Sequence, residues 1–368
     1  MKDIKNIFII GGGTAGHALP AIQLSRELIK YNFNVVFITD FRMFNFVYNN
    51  FKNKNFKLLC IKGRGIYKKN IFKNLISMCL FLYAIFQSLC FIIKYKPVLS
   101  YGFGGGITVA PVIMSKIFSI PIILHEGNSV LGKANKFLYR YANHLTTFFP
   151  YLDNSEHYKY SVVGMPVRKE IENISKKNYM IKQEELINIL ITGGSLGAEV
   201  MATKIAKALC ILPKNLQKKI SILQQVRKEN YSYLEKLYDQ NSIKFKLEIY
   251  IENIPESLNW CHLIICRSGA GTLAENLISG RPSIMVPLEI SADNHQMRNA
   301  LILDKIGAGC IISEAELDNI DELMYKLKSI IFNTQSLYNM SKKAKESAML
   351  GSSNKLVKLA LNILNGKN

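Results

Sequence analysis

Two short apolar runs in this chain each end on a cluster of glycines and pass into helix-like sequence. The first is Ile7-Phe8-Ile9-Ile10 followed by Gly11-Gly12-Gly13-Thr14-Ala15-Gly16-His17. The second is Ile189-Leu190-Ile191-Thr192 followed by Gly193-Gly194-Ser195-Leu196-Gly197-Ala198. A strand that turns on glycines into a helix leaves backbone N–H groups aimed at open space, and the positive end of the helix dipole favours an anion there. One such turn is a weak signal. Two of them, one in each half of the chain, imply two similar α/β domains facing a shared cleft, which suits a ligand carrying a diphosphate.

Strand-like runs alternate with helix-like ones throughout. They fall at Ile7–Ile10, Val35–Thr39, Val98–Tyr101, Ile120–Leu124 and Leu145–Phe149, then at Ile187–Ile191, Ile220–Gln225, Leu247–Ile251, Leu263–Cys266 and Ser283–Val286. Most are continuously apolar, as parallel strands covered by helices on both faces should be. The rhythm predicts two doubly wound, Rossmann-like parallel-sheet domains, and 368 residues suffice for two. A linker near Val163-Gly164-Met165-Pro166 sets the expected domains at 1–164 and 165–368, with the last helix a candidate to pack back on the first.

Charge is uneven along the chain. Residues 1–164 hold 20 Lys+Arg against 6 Asp+Glu and residues 165–368 hold 27 against 21, so +14 of the total +20 sits in the first half. Compositional drift toward lysine would not produce that asymmetry. A basic first domain suits an anionic surface, and membrane lipid comes first because of the next feature. Residues 74–93 carry no charge and are framed by Lys68, Lys69, Lys73, Lys94 and Lys96. Length alone makes this run a transmembrane candidate. Strand-like runs of one sheet on both sides argue against a span. A buried helix and a helix resting an apolar edge on the membrane interface remain, and the second is favoured. The seven scattered cysteines, with no C-x-x-C pair, read as reduced thiols of a cytosolic protein. No signal peptide precedes the first strand-like run.

Four further segments carry chemistry. His125-Glu126-Gly127-Asn128 follows the run Ile120–Leu124, and Arg168 follows Gly164-Met165-Pro166-Val167. Cys266-Arg267-Ser268-Gly269-Ala270-Gly271-Thr272-Leu273-Ala274-Glu275 is a third strand–turn–helix, and Asp293-Asn294-His295-Gln296 lies beyond a Pro287 turn. Each has a plainer explanation: tight packing for the glycines, a helix-start residue for Glu275 or Asp293, an exposed linker charge for Arg168. Their convergence at carboxyl ends of strands is what points to a ligand site. The dinucleotide fingerprint fits poorly, although Asp40 stands close enough to the second strand to keep that alternative open, and the P-loop lysine is absent.

Together these segments resemble the MurG family, peripheral membrane glycosyltransferases of peptidoglycan synthesis. The match covers most of the chain, with the signatures in the same order. The resemblance implies a GT-B fold and inverting transfer of N-acetylglucosamine from UDP-N-acetylglucosamine to the C4 hydroxyl of the muramoyl sugar of lipid I, the undecaprenyl-diphosphate-linked acceptor, giving lipid II. It places the enzyme on the cytoplasmic face of the inner membrane, against an anionic lipid surface. It implies Glu275 on the ribose, the Ile251 backbone on the uracil, Asn128 and Gln296 on the sugar, and Ser195 and Arg168 on the diphosphate. Backbone N–H groups of Ala270, Gly271, Thr272 and Leu273 would face the sugar and diphosphate. Thr14, Ala15 and Gly16 would border the acceptor diphosphate and donor sugar.

The chain departs from the family pattern at Ala15, Gly106, Gly127, Leu131, Met165 and Leu196, where glycine, tyrosine, glutamine, proline, asparagine and glutamine are usual. An inverting transfer needs a base for the acceptor hydroxyl. His17 is favoured, because an unperturbed histidine titrates near working pH, and Glu126 is the runner-up. With no Asp-x-Asp pair, no metal is expected; no cofactor and no nucleic acid are expected either. The rival readings are another UDP-sugar glycolipid synthase of the same fold, a non-catalytic UDP-sugar-binding membrane subunit, and a nicotinamide-linked dehydrogenase.

Overall fold

The computed structural model describes residues 5–51, 53–62, 71–150, 158–181 and 186–366, without the side chains of 71–74, 194–200 and 292. Lys68 and Lys69 lie outside the described residues. The chain forms two compact units, Met1–Val167 with Gly351–Asn368, and Arg168–Leu350.

The first unit is built on a parallel sheet of β1 (Asn6–Ile10), β2 (Asn34–Thr39), β3 (Phe56–Cys60), β4 (Leu99–Gly102), β5 (Ile122–Glu126), β6 (His144–Thr147) and β7 (Ser161–Val162). Their spatial order is β3-β2-β1-β4-β5-β6-β7. β1 is solvent-free from Ile7 to Ile10 because helices cover both faces, which is why its sequence is apolar without alternation. The order reverses between β1 and β4, and open α/β sheets bind ligands at such a switch point.

Three helices of this unit matter here: α1 (Ala15–Lys30), α2 (Phe41–Asn50) and α3 (Ile71–Tyr95). The helix Ser352–Leu364 also belongs to this unit. Its Leu356, Val357 and Ala360 are fully buried in one cluster with Ala18, Ile22 and Leu28 of α1. The hydroxyl of Tyr101 donates to the Leu356 carbonyl at 2.6 Å.

Among the described residues, α3 is the one helix long and apolar enough to cross a membrane. It connects β3 to β4, which lie in the same parallel sheet, and so it is a crossover helix. It is not an ordinary core helix either. Ser77, Ala84, Ser88 and Ile92 form its buried face, while Leu75, Ile76, Met78, Leu82, Phe86 and Ile93 are each more than half exposed. At 3.6 residues per turn, Leu75, Met78, Leu82, Phe86 and Ile93 fall on one stripe opposite the buried one. Phe81 falls nearer the packed face and is 37% exposed.

The second unit repeats the design with β8 (Ile187–Thr192), β9 (Ile220–Gln225), β10 (Lys244–Glu248), β11 (Leu263–Cys266), β12 (Ser283–Met285) and β13 (Gly309–Ile311). All pair in parallel, in the order β10-β9-β8-β11-β12-β13, so the switch point lies between β8 and β11. The expected strand at Leu247–Ile251 is displaced. The strand is Lys244–Glu248, whose lysines alternate with Phe245 and Leu247 as an edge strand's residues should. Ile251 falls in the loop beyond it.

Candidate active site

Helix N-termini gather at both switch points. α1 starts after β1, the helix Gly194–Cys210 starts after β8, and the helix Ala270–Ser279 starts after β11. None has an acidic residue in its first turn, and none has a side-chain cap. Their leading N–H groups therefore lack an internal anion and favour an external one.

In the first unit the turn is made possible by Gly12, whose added Cβ would lie 2.6 Å from Thr39 Oγ1, and by Gly13 at φ +82°. Asp40 locks it. The carboxylate is buried; Oδ1 accepts the Gly13 N–H at 3.2 Å and the Met43 N–H at 3.3 Å, and Oδ2 accepts Arg42 Nε at 2.7 Å. Asp40 is thus spent on the turn and on capping α2. The position that kept a dinucleotide reading open does not present an acid to a ribose.

Thr14, Ala15 and Gly16 stand exposed at the mouth of α1. His17, one residue further, turns its ring back beneath the loop. Nδ1 lies 3.2 Å from the Gly12 carbonyl and 3.4 Å from Thr14 Oγ1. A carbonyl only accepts, so a hydrogen bond to Gly12 O requires the proton on Nδ1, the tautomer that leaves the lone pair of a neutral ring on Nε2. Opposite lies the turn after β4, where Gly104 and Gly105 have φ of +86° and +78°. A Cβ on Gly104 would sit 3.4 Å from both His17 Nε2 and Asn135 Nδ2. The positive φ angles favour glycine at both positions, and the imidazole packs against this turn.

The residues after β5 have a different character. Glu126 is buried, and four donors saturate it. Oε1 accepts Asn128 N and Nδ2 at 3.0 and 3.1 Å, while Oε2 accepts Gly132 N at 3.0 Å and Asn135 Nδ2 at 2.9 Å. Glu126 clasps its own loop and holds Asn128 in place. Neighbouring His125 is fully enclosed, and burial pushes its pKa down to about 3, so its ring is neutral. It lies tilted against Phe103, with Nδ1 at 3.1 Å from Thr146 Oγ1.

In the second unit Glu275 sits one turn into the helix Ala270–Ser279, 3.7 Å from Arg168. Burial pushes the Glu275 carboxyl up and the Arg168 charge partly offsets this. Ala270, Gly271 and Thr272 are half-buried beside open space, and Leu273 is buried as the helix's anchor. Gln296 begins the helix His295–Lys305. Its Oε1 accepts the Leu288 N–H at 3.1 Å, which fixes the amide and turns Nε2 the other way. Ile251, in the loop beyond β10, is buried. Ser195 begins the helix after β8; its side chain lies outside the described atoms.

The first unit thus brings together Thr14, Ala15, Gly16 and His17 on one helix start, with Glu126 and Asn128 on the neighbouring loop. The second brings Arg168 to Glu275. Asn135 and Arg267 were not singled out from the sequence as members of the site. Their signal was weak, because an asparagine in a lysine-rich helix and an arginine before a glycine turn carry no pattern of their own.

Two doubly wound sheets with glycine turns at their switch points, together with matches to both glycosyltransferase family 28 domains, place the chain among glycosyltransferases of the GT-B class. The glycosyltransferase family 28 N-terminal domain matches residues 7–147 and its C-terminal domain matches residues 188–356. The UDP-N-acetylglucosamine–N-acetylmuramyl-(pentapeptide) pyrophosphoryl-undecaprenol N-acetylglucosamine transferase of Rickettsia canadensis is 32% identical, over 94% of this chain and 98% of that protein. The enzyme of the same name from Bradyrhizobium diazoefficiens is 31% identical over 99% of each chain. The crystal structure of Acinetobacter baumannii MurG superposes with a TM-score of 0.78 at 26% identity, covering 96% of this chain and 99% of that one. A rhamnosyltransferase, SpnG, shares the fold at a TM-score of 0.68 and 12% identity. The chain belongs to glycosyltransferase family 28, in the branch of these N-acetylglucosamine transferases.

Proposed function

We propose that this protein transfers N-acetylglucosamine from UDP-N-acetylglucosamine to the C4 hydroxyl of the muramoyl sugar of lipid I, with inversion, giving lipid II. The observation that carries this reading is identity of 31–32% over nearly the full length of relatives that bear that activity in their names. Other solved glycosyltransferases that share the fold, among them the rhamnosyltransferase SpnG, stand further off, at 11–13% identity.

In this reading Glu275 accepts the ribose hydroxyls and the Ile251 peptide pairs with the uracil. Arg168, Ser195 and the N–H groups of Ala270–Leu273 stabilise the UDP leaving group. Fixed donors aimed at developing charge contribute about 10²–10³-fold each, which serves departure without a metal. Asn128 and Gln296 hold the sugar, and Thr14–Gly16 border the reacting diphosphates. His17 is the base. Its Nδ1 proton, directed to the Gly12 carbonyl, leaves Nε2 to take the acceptor proton. Glu126, with both oxygens committed, positions Asn128 and has no capacity left for proton transfer.

The first unit attaches the enzyme to the cytoplasmic membrane surface without spanning it. The exposed stripe of α3 and the +14 charge of residues 1–164 support this. The deciding experiment is incubation with UDP-N-acetylglucosamine and a lipid I analogue. Formation of the disaccharide product supports the reading, and binding of the donor without transfer refutes it in favour of a non-catalytic subunit.

A further inference from the structure

The loop between β12 and the helix His295–Lys305 is tied down by two residues outside it. Arg267, the residue after β11, is buried, and its Nη1 donates to the carbonyls of Val286 and Pro287 at 3.1 and 3.2 Å. Its Nη2 meets Glu314 Oε1 at 2.6 Å. The other oxygen of Glu314 accepts the backbone N–H of Glu289 at 3.3 Å. Between these two ties, the Leu288 N–H donates to Gln296 Oε1. Each of residues 286–289 is thus held through its main chain.

The same loop continues into Asp293 and Asn294, both at φ +52°. Left-handed backbone at two successive non-glycine residues persists only where surrounding bonds over-determine it. Glu314 supplies both a half-buried countercharge for the buried Arg267 and a direct bond to the loop. It lies just beyond β13, outside every segment assigned above to the donor.

We propose that Glu314 is a positioning residue for the donor sugar. With Arg267 it fixes the path of residues 286–289. The Leu288 N–H then holds Gln296 Oε1, and Nε2 is presented to the sugar. The inference rests on the reading of Gln296 as a sugar contact and goes beyond it, since Glu314 touches no part of the ligand. Glu275, assigned above to the uridine, pairs with Arg168, whereas this loop is tied to Arg267 and Glu314. The effect of Glu314 is therefore specific to the sugar.

Calorimetry of the full chain with UDP and with UDP-N-acetylglucosamine tests this. Glu314→Ala should weaken UDP-N-acetylglucosamine about tenfold, within the range for residues coupled in one hydrogen-bond network. UDP affinity should stay within about twofold of wild type, the precision to which uncoupled sites are additive. The double variant with Gln296→Ala should bind no more weakly than Gln296→Ala alone. Glu314→Gln keeps the side chain's shape and one accepting oxygen, and should show the same selectivity at smaller size if the alanine variant fails to fold. Parallel loss of both ligands, unchanged binding of both, or additive losses in the double variant would overturn the proposal. Failure of the wild-type protein to bind UDP-N-acetylglucosamine would instead overturn the functional reading on which it stands.

Discussion

Replacing Glu275 by glutamine separates what this residue does for the ligand from what it does for the fold. Burial raises the carboxyl above its ordinary range, and Arg168 at 3.7 Å is too far for a full hydrogen-bonded pair to cancel this. The folded state thus holds the proton to a higher pH than the unfolded chain does. Stability from this group is present while it is protonated and is lost as pH rises through its folded pKa. At neutral pH the ionised form is a net cost to the fold, so a permanently neutral glutamine should leave the melting temperature level with wild type or slightly above it. Donor binding should move the other way. Hydrogen bonds to a charged group are worth about 1.5–3 kcal/mol, so the dissociation constant for UDP-N-acetylglucosamine should rise about 13- to 160-fold. In wild type, affinity should begin to fall on acidification at a higher pH than an ordinary glutamate would dictate, and the glutamine variant should lack that limb. Titration calorimetry across pH, with thermal melts of both proteins, reads each quantity. Unchanged affinity in a folded variant would remove Glu275 from the site, and a large drop in melting temperature would refute the argument from burial.

Three further outcomes are expected. His17→Ala should lower turnover about 10²–10⁴-fold, the usual range for a general base, with donor affinity intact; Glu126→Gln should instead weaken the fold of its loop, seen as a lower melting temperature. Turnover that survives in the first variant and vanishes in a stable second one would reverse the assignment. Transfer should persist in excess chelator, since Arg168 and the N–H groups of the helix starts supply fixed donors for the leaving diphosphate; complete loss that metal restores would contradict this. Vesicle flotation should show binding to anionic lipid that high salt weakens strongly, each lysine near the surface counting for about 1 kcal/mol at low salt, with a remainder that Leu82→Ser and Phe86→Ser reduce. Phe81→Ser should matter less, because its ring lies toward the packed face. Equal binding to neutral and anionic vesicles would refute the electrostatic part.

The sequence announced the buried centre of each sheet and concealed its margins. Ile7–Ile10 and Leu263–Cys266 are legible because strands covered on both faces can hold nothing but apolar side chains. β3, β10 and β13 are short or half-covered, and their mixed sequences look like loop. The glycine turns were legible as backbone geometry. The occupation of their neighbours was not. Asp40 and Glu126 both read as available acids, and both are saturated by donors that arrive only once the loops close. Glu314 illustrates the same limit from the other side, since nothing local in Ile312-Ser313-Glu314-Ala315 signals a partner after β11.

The membership of the C-terminal helix in the first unit bears on how the molecule is made. Residues 168–350 are contiguous and can close as soon as they leave the ribosome. The first unit is synthesised earlier, but Leu356, Val357 and Ala360 fill part of its core, so α1 and Tyr101 wait with one wall missing until that helix has been made. The unit begun first is finished last. A chain truncated after Leu350 would hold a complete second unit and a first one with bare apolar surface, the kind of intermediate on which chaperones act.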